Sequence, residues 1–509
     1  MEMGMNQTYL IGVDIGTQGT KSALYRTDGL LIEEAFEKSI LITPGIGEFK
    51  QNPDEIYGSV LRTIKHLIQK SKVSPRSISA VGMDAQMAGI MGIDEEWNAV
   101  TPYDSWLDTK CTPYINVMKE CAWDEIIQKT GGQVTYAHGP KIIWWMNERP
   151  DIYKKIAKFI MLTTYVAGRL CGLKADNAYI DYTHLHFSGF ADNENLKWDI
   201  NLLHEFGVQE NKMPNIISPS SKIGALTKEA SLQCGLLPGT PVIAGCGDSA
   251  ASSLGAGITG EGMAYDVAGT ASIFSLSTTG YTPDVTNKTI MYARSCIKDL
   301  WIPLAYISGG GMCINWFKQL YRLEFEELEQ LAKNIIPGSE GVLFVPHFAG
   351  RTCPNVPNMN GSFVGLTWNH TTGHLYRSVL ESIAFEYDYY YNILKQMDNS
   401  IHPVGIYGVG GGSKCSLFNQ IKADVLGIPY YPLKSYNSAG YGSALLAGCG
   451  IGIYKDLQEA AGNQVKMNSY NPVSHNTKLY REYSSKYKQL LTQMEILYTK
   501  LGGSNDIKN

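Results

Sequence analysis

One short pattern occurs in both halves of the chain, and it constrains the fold more than any other feature. Tyr9 to Tyr25, YLIGVDIGTQGTKSALY, reads as an apolar strand, a polar turn and a second strand. Gly262 to Ser275, GMAYDVAGTASIFS, reads the same way. Asp14-Ile-Gly-Thr17 in the first copy answers to Asp266-Val-Ala-Gly-Thr270 in the second, with one residue inserted. Two copies of one strand-turn-strand unit, about half the chain apart, predict two related domains. A Gly/Thr turn offers free N–H groups and hydroxyls to an anion, and an Asp at its mouth is a ligand for a hard cation. The pair therefore reads as two loops gripping a phosphate chain and its metal, with hinge closure around them. Two better-known phosphate loops do not fit. Thr20, not Gly, precedes Lys21-Ser22, against a Walker A loop. A strand, not a helix, follows the turn, against a dinucleotide loop. Taken alone, the first copy is equally an ordinary hairpin with Gly in its turn.

Length and charge narrow the class. The chain has 509 residues, 44% hydrophobic and 18% charged, enough for two or more cores of ordinary globular composition. A net charge of −5 with no basic block excludes recruitment of nucleic acid or an anionic membrane. No basic-then-apolar leader and no apolar run of spanning length is present. Ten cysteines without C-x-x-C or C-x-x-H spacing predict reduced thiols and a cytoplasmic setting.

Between the two copies lie further candidate sites. A helix is expected from Asp54, with Ile56, Val60, Ile64 and Leu67 on its buried face. The strand Ile78 to Met83 runs into Asp84-Ala85-Gln86-Met87-Ala88-Gly89, at a strand end where α/β sheets place ligands. Trp106 beside Asp104 and Asp108 offers a flat apolar face and acceptors for a sugar; a core Trp with Asp108 as a helix cap fits as well. Asp181-Tyr182-Thr183-His184-Leu185-His186 carries alternate histidines with no obvious third metal ligand, which favours a polar substrate-facing or structural loop. Asp248 stands at a strand-to-helix junction, where a helix cap and a general base both fit. In the second half, Ser308 to Gly311 precedes a helix, and Gly410-Gly411-Gly412-Ser413-Lys414 lies between a strand and a helix, where bare backbone admits a flat base or ribose. Ser438 to Ala447 is a small-residue helix suited to close packing, and Leu479, Tyr483, Tyr487, Leu490 and Met494 mark one face of a last helix. Gly502 to Asn509 reads as a frayed tail.

In this order the motifs resemble the FGGY carbohydrate kinases, and most of all their xylulokinase branch, from Ile11 to about Ala447. Gly361 to Glu381, GSFVGLTWNHTTGHLYRSVLE, is similar throughout to the family's second signature. Tyr136 to Glu148 matches the first more loosely, with His138 where a small residue is usual and Trp145 where an aliphatic is. The resemblance implies an α/β fold of two actin-like (ribonuclease H-like) domains of the sugar kinase/heat-shock ATPase/actin class with an interdomain cleft. The domains are expected over 1–247 and 248–509. It implies ATP and Mg²⁺, transfer to a small sugar, and a homodimer as an open assembly state. It raises Asp248 to general base and Asp14 to magnesium anchor. Thr17, Gly19, Thr20 and Lys21 would meet the phosphates from one domain and Gly269 and Thr270 from the other, with Lys21 equally free to point outward. Gly411, Gly412, Ser413 and Asn419 would bound the adenosine site, and Gln86, Met87, Trp106 and Asp108 the sugar. An actin-like or chaperone-like ATPase and a sugar-binding regulator without catalysis are the competing readings of the same fold. Two pocket positions depart from xylulokinases. Ala88 replaces a His, and Trp106-Leu107-Asp108-Thr109-Lys110 replaces Trp-Asn-Asp-x-Arg. Buried polar pockets reject a wrong hydroxyl pattern strongly, so another ketopentose, a polyol, an aldonate or a longer sugar stays open.

Overall fold

Each copy of the repeat is the centre of its own sheet. In the computed structural model, which describes residues 7–434, 438–462 and 468–501, Tyr9–Ile15 pairs antiparallel with Gly19–Arg26 and parallel with Ile78–Ala85. In the second copy, Met263–Ala268 pairs antiparallel with Ser272–Leu276 and parallel with Gly405–Val409. The same element is thus embedded in the same way twice. The tail expected to fray, Gly502 to Asn509, lies outside the described residues.

The chain forms two units. The first holds Met1–Thr259, Tyr292–Trp301 and Tyr436–Asn463; the second holds Gly260–Met291, Ile302–Ser435 and Gln464–Asn509. Asp248 and its helix belong to the first, and the chain returns to that unit twice after Thr259. Among the described residues, no helix is long and apolar enough to cross a membrane.

In the first unit the sheet runs Lys222–Ala225, Pro241–Ile243, Ile78–Ala85, Tyr9–Ile15, Gly19–Arg26, Leu31–Lys38. Alternation along Tyr9–Ile15 sends Ile11, Val13 and Ile15 to the helix Pro53–Ser71, whose Ile56, Val60, Ile64 and Leu67 complete that core. The helix begins one residue before the expected Asp54. Its cap is Asn52, which accepts the N–H groups of Asp54 and Glu55, while Asp54 lies in the first turn and accepts from the Tyr165 hydroxyl and Arg169. On the other side of the strand, Gly12 and Asp14 face the small-residue helix Ser438–Gly450. A Cβ at Gly12 would sit 1.8 Å from the Gly440 carbonyl oxygen, and one at Gly82 would sit 2.1 Å from that of Ser443. Backbone lies directly on backbone there, which only glycine allows.

In the second unit the sheet contains, in order, Trp301–Ile307, Ser272–Leu276, Met263–Ala268, Gly405–Val409 and Tyr430–Pro432. The helix Thr372–Met397 buries Val379, Ile383, Tyr387 and Leu394. The last helix, Ser474–Leu501, buries Tyr487 and Met494 as expected, but its inward face is rotated away from the other three expected residues. Tyr480, Ser484, Tyr487, Leu491 and Met494 are buried, whereas Leu479, Tyr483 and Leu490 are only half-buried. Hydroxyl pairing explains the turn: Tyr480 donates to Glu381, and Tyr487 donates to Glu386. Glu386 also takes Arg351 and His347, and those partners hold its carboxyl down at about 2 despite full burial.

Candidate active site

Strand register brings three carboxylates to one end of the first sheet. Asp14 and Asp84 are paired on neighbouring parallel strands, so their side chains leave the sheet on the same face. Cys246 pairs with Asp84 from the other side, and Asp248 follows two residues later. Asp248 is the first residue of the helix Asp248–Gly255; the cap position belongs to Gly247, so the expected capping role falls away. Its Oδ1 accepts from the Ser249 amide at 2.7 Å and the Ser249 hydroxyl at 3.2 Å.

The three groups perturb one another. Burial and then the charge of Asp14 push Asp248 up to about 7. Burial, then Asp14, and more weakly Asp248, push Asp84 well above the usual carboxylate range. Burial raises Asp14 as well, against the relief offered by Lys21, its register partner on the hairpin. A carboxylate in a dry site beside another carboxylate disfavours its own charge. Asp84 opens the stretch expected at a ligand-bearing strand end, but sequence reasoning gives it no role of its own. Its Oδ2 accepts from the Ser443 hydroxyl at 2.6 Å, and its Oδ1 is buried without a hydrogen-bond partner. This donor set fits a divalent cation. Hard carboxylate oxygens lie side by side, one of them unsatisfied, with a single flanking lysine. Among the described residues no group of three His, Cys, Asp or Glu is placed to hold a metal ion by itself.

The first turn and the sugar candidates form one hydrogen-bonded network. The Thr17 hydroxyl donates to Gln86 Oε1 at 3.1 Å and accepts from Trp106 Nε1 at 2.9 Å. Gln86 Nε2 donates to Gln51 Oε1 at 2.7 Å, and Gln51 Nε2 reaches back to the Thr17 carbonyl at 3.4 Å. Gln51 is a second residue that sequence reasoning missed. Trp106 keeps 47% of its surface exposed, leaving a ring face for a ligand. Met87 is buried against Gly247, where a Cβ would come within 2.4 Å of its sulfur. Lys141 ties the two loops together from below, donating to the carbonyls of Ser105 at 2.6 Å and Ala88 at 3.3 Å. Burial lowers this ammonium to about 8. Ala88 itself is left-handed, with φ 61°.

Two expected side-chain contacts point elsewhere. Asp108 is fully buried, and its carboxylate accepts the amides of Phe49 at 2.9 Å and Lys110 at 3.3 Å, so it shapes the loop. Thr20 is fully buried, and its hydroxyl pairs with Ser59 at 2.6 Å. Alternation along the strand sends Thr20 to the helix side and Lys21 to the Asp14 side, so Thr20 has only backbone to offer a phosphate.

The second unit holds its own glycine loops. Gly269 N–H closes the second turn on the Ala271 carbonyl at 3.1 Å, much as Gly16 N–H closes the first on Gly19 at 3.0 Å. The helix Gly310–Tyr321 starts against that turn, with Met312 N–H on the Thr270 carbonyl and no room for a Cβ at Gly311, 1.8 Å from the Gly269 oxygen. Gly410 is left-handed, Gly411 faces open space, and a Cβ at Gly412 would crowd Ala268. Ser413 and Asn419 brace this loop. The Ser413 hydroxyl donates to the Gly410 carbonyl, and the Asn419 amide donates to the Ser413 carbonyl. The Asp of the second copy is not a metal candidate: Asp266 is fully buried, and its oxygens accept from Lys422, Tyr430 and Tyr387.

Residues 9–255 match the FGGY family of carbohydrate kinases, N-terminal domain, and residues 264–451 match its C-terminal domain. The xylulose kinase of Bacillus subtilis (strain 168) is 25% identical over 498 residues, 97% of this chain and 98% of that protein. The gluconokinase of the same organism is also 25% identical, over 511 residues and the same shares. Among solved structures, ligand-bound xylulose kinase from Lactobacillus acidophilus superposes with a TM-score of 0.89 at 24% identity, over 97% of this chain and all of that one. The chain belongs to the FGGY family of carbohydrate kinases, has that family's two-domain α/β fold, and is a sugar phosphotransferase.

Proposed function

We propose that the chain transfers the γ-phosphoryl group of ATP to a hydroxyl of a small neutral carbohydrate, a ketopentose first and a polyol next, with Asp248 as the base. The observation that carries this is Asp248 itself. It is a half-buried carboxylate at a strand end, held near neutrality by burial and Asp14, and clasped only through one oxygen by Ser249. A base poised near 7 can take a hydroxyl proton without being protonated most of the time.

In the proposed step the sugar oxygen bonds to the γ-phosphorus, the bond to the β–γ bridging oxygen breaks, the proton passes to Asp248, and ADP leaves. Phosphoryl transfer asks for positioning and charge stabilisation more than covalent chemistry. When bound, Mg²⁺ neutralises charge on the phosphates. Asp14 is proposed to hold it, with Lys21 beside it on the same face. Thr17, Gly19 and the Thr20 backbone contact phosphate, Gly269 and Thr270 supply further phosphate contacts, and Gly411 and Gly412 accept the adenosine. Gln86, Met87 and Trp106 line the sugar. Thr17, proposed to contact phosphate, is hydrogen-bonded to two of the proposed sugar residues, Gln86 and Trp106, and would couple the two substrates' sites.

The preference for a neutral sugar rests on committed cations. Lys110 is paired with Asp104 and lies 3.8 Å from Asp108, and Lys141 is aimed at two carbonyls. A carboxylate substrate would have to break one of these. ADP release measured across ketopentoses, aldopentoses, polyols, hexoses and gluconate tests the proposal. A sharp rise with one neutral sugar is expected, with gluconate clearly weaker. An ATPase rate indifferent to every sugar would sink the kinase reading, and gluconate as best substrate would sink the neutral preference.

The pH profile supplies a second test. Protonated Asp248 cannot accept the hydroxyl proton, so kcat/KM for the sugar should fall tenfold per pH unit as pH drops below about 7. A profile flat from about pH 5.5 to 8.5 would remove Asp248 as the base.

A further inference from the structure

The loop Asp181 to His186 takes no part in the reaction as proposed, yet it is built into the back of Asp248. Strand Tyr179–Asp181 runs into a short 3-10 turn, Tyr182–Phe187, capped by Asp181. Asp181 Oδ1 accepts both the Thr183 amide, at 3.0 Å, and the Thr183 hydroxyl. The hydroxyl proton is thereby committed, and the oxygen is left as an acceptor. It accepts the Gly247 N–H at 3.0 Å. Gly247 is the cap residue from which the Asp248 helix departs.

We propose that Thr183, oriented by Asp181, is a positioning residue for Asp248. Four observations carry it. First, Asp181, Thr183 and His184 are completely removed from solvent, so the Asp181–Thr183–Gly247 chain does not compete with water. Second, Gly247 is gripped from the other side as well, because Met87 leaves no room for a Cβ there. Third, the loop cannot slide: Gly132 packs so closely on it that a Cβ would lie 1.6 Å from the His186 carbonyl oxygen. Fourth, Asp181 Oδ2 has no hydrogen-bond partner, and His184 Nε2, 3.5 Å away, is too far for a good hydrogen bond. Asp181 therefore spends its one well-made pair of bonds on Thr183. The result is a buried wedge whose Thr183 hydroxyl makes a polar link to the residue preceding the base.

The inference rests on Asp248 being the base. The test is steady-state kinetics of Thr183→Val, Thr183→Ala and Thr183→Ser in the full chain, with the best sugar of the panel and ATP, alongside ATP binding by calorimetry. Loss of the hydroxyl in the Val and Ala variants should lower kcat by about 10²-fold, the cost of a base displaced by about 1 Å. KM for ATP and the ATP dissociation constant should stay within about twofold, and Thr183→Ser should restore kcat to within about threefold. If Val does not fold, the smaller Ala reads the same loss. Wild-type kcat in a folded Val or Ala variant would overturn the proposal. So would parallel losses in kcat and ATP binding, which mark a structural defect. An active Asp248→Ala enzyme would overturn the base assignment itself, and with it this positioning role; an inactive Asp248→Ala beside a fully active Thr183→Val would overturn the positioning role alone.

Discussion

Asp248→Asn is expected to lower kcat by about 10²- to 10⁴-fold while leaving the ATP dissociation constant unchanged. Asn keeps the shape and the oxygen that accepts from Ser249, so the helix start is preserved and only the proton acceptor is lost. Asp248→Ala should lose as much activity, and the comparison separates chemistry from local structure. Stability should move the other way. A carboxyl whose folded value is raised destabilises the folded chain above that value and not below the unfolded value of about 3.9. At pH 8 the charged form is present, so replacing it by a neutral amide should leave the melting temperature equal to or above wild type. At about pH 4 the carboxyl is protonated in the folded chain, and that gain should vanish. An Asn variant within tenfold of wild-type kcat would end the assignment of Asp248 as the base.

The parts of this site that were legible in the sequence are those encoded within a few residues. The Gly16–Gly19 and Gly269–Ala271 turns announce themselves by Gly and Thr between apolar strands, and their repeat announces two domains. Asp84 is different. It became a site residue only because the parallel register sets it beside Asp14, and nothing local specifies a register between segments so far apart. Gln51 is another such case, joined to Gln86 and Thr17 only by the tertiary fold. The side that Thr20 faces was within reach of sequence reasoning. If Asp14 and Lys21 share a face across a tight hairpin, Thr20 must take the opposite one.

The last helix shows where hydropathy alone misleads. Leu479, Tyr483 and Leu490 made an apolar face on paper, but the buried acids Glu381 and Glu386 needed donors, and Tyr480 and Tyr487 supply them. An unpaired buried carboxylate costs more than a half-exposed leucine. The small residues of Ser438–Gly450 announced close packing and not its target. Their partner strands, Tyr9–Ile15 and Ile78–Ala85, lie in the other half of the chain, which is why the first unit needs a segment from beyond residue 436.

Lys422→Met is expected to destabilise the second unit by about 3–5 kcal/mol, the usual cost of leaving a buried charge without its partner. The first copy of the repeat keeps its Asp beside another carboxylate; the second copy neutralises its own. Asp266 Oδ2 accepts from Lys422 at 2.5 Å and from the Tyr430 hydroxyl at 2.7 Å, and Oδ1 accepts from the Tyr387 hydroxyl at 2.7 Å. Lys422 also donates to Tyr430 at 2.9 Å and lies 4.1 Å from the centre of the Phe418 ring. All four polar residues are sealed from solvent. Without the ammonium, Asp266 retains two neutral donors and no counter-charge in the centre of its sheet. At roughly 2–4 °C per kcal/mol for a unit of this size, the transition should fall by roughly 6–20 °C. Asp266→Asn combined with Lys422→Met removes both charges and keeps an oxygen for the tyrosines, so the double variant should recover most of the loss. Because Met263–Ala268 leads into the Gly269 turn, partial loosening of this strand should also raise KM for ATP before it unfolds the chain. Calorimetric melts of the wild type, both single variants and the double variant would check this. A Lys422→Met melt within about 1 °C of wild type, or a double variant no better than the single, would show that the pair is not what holds this sheet together.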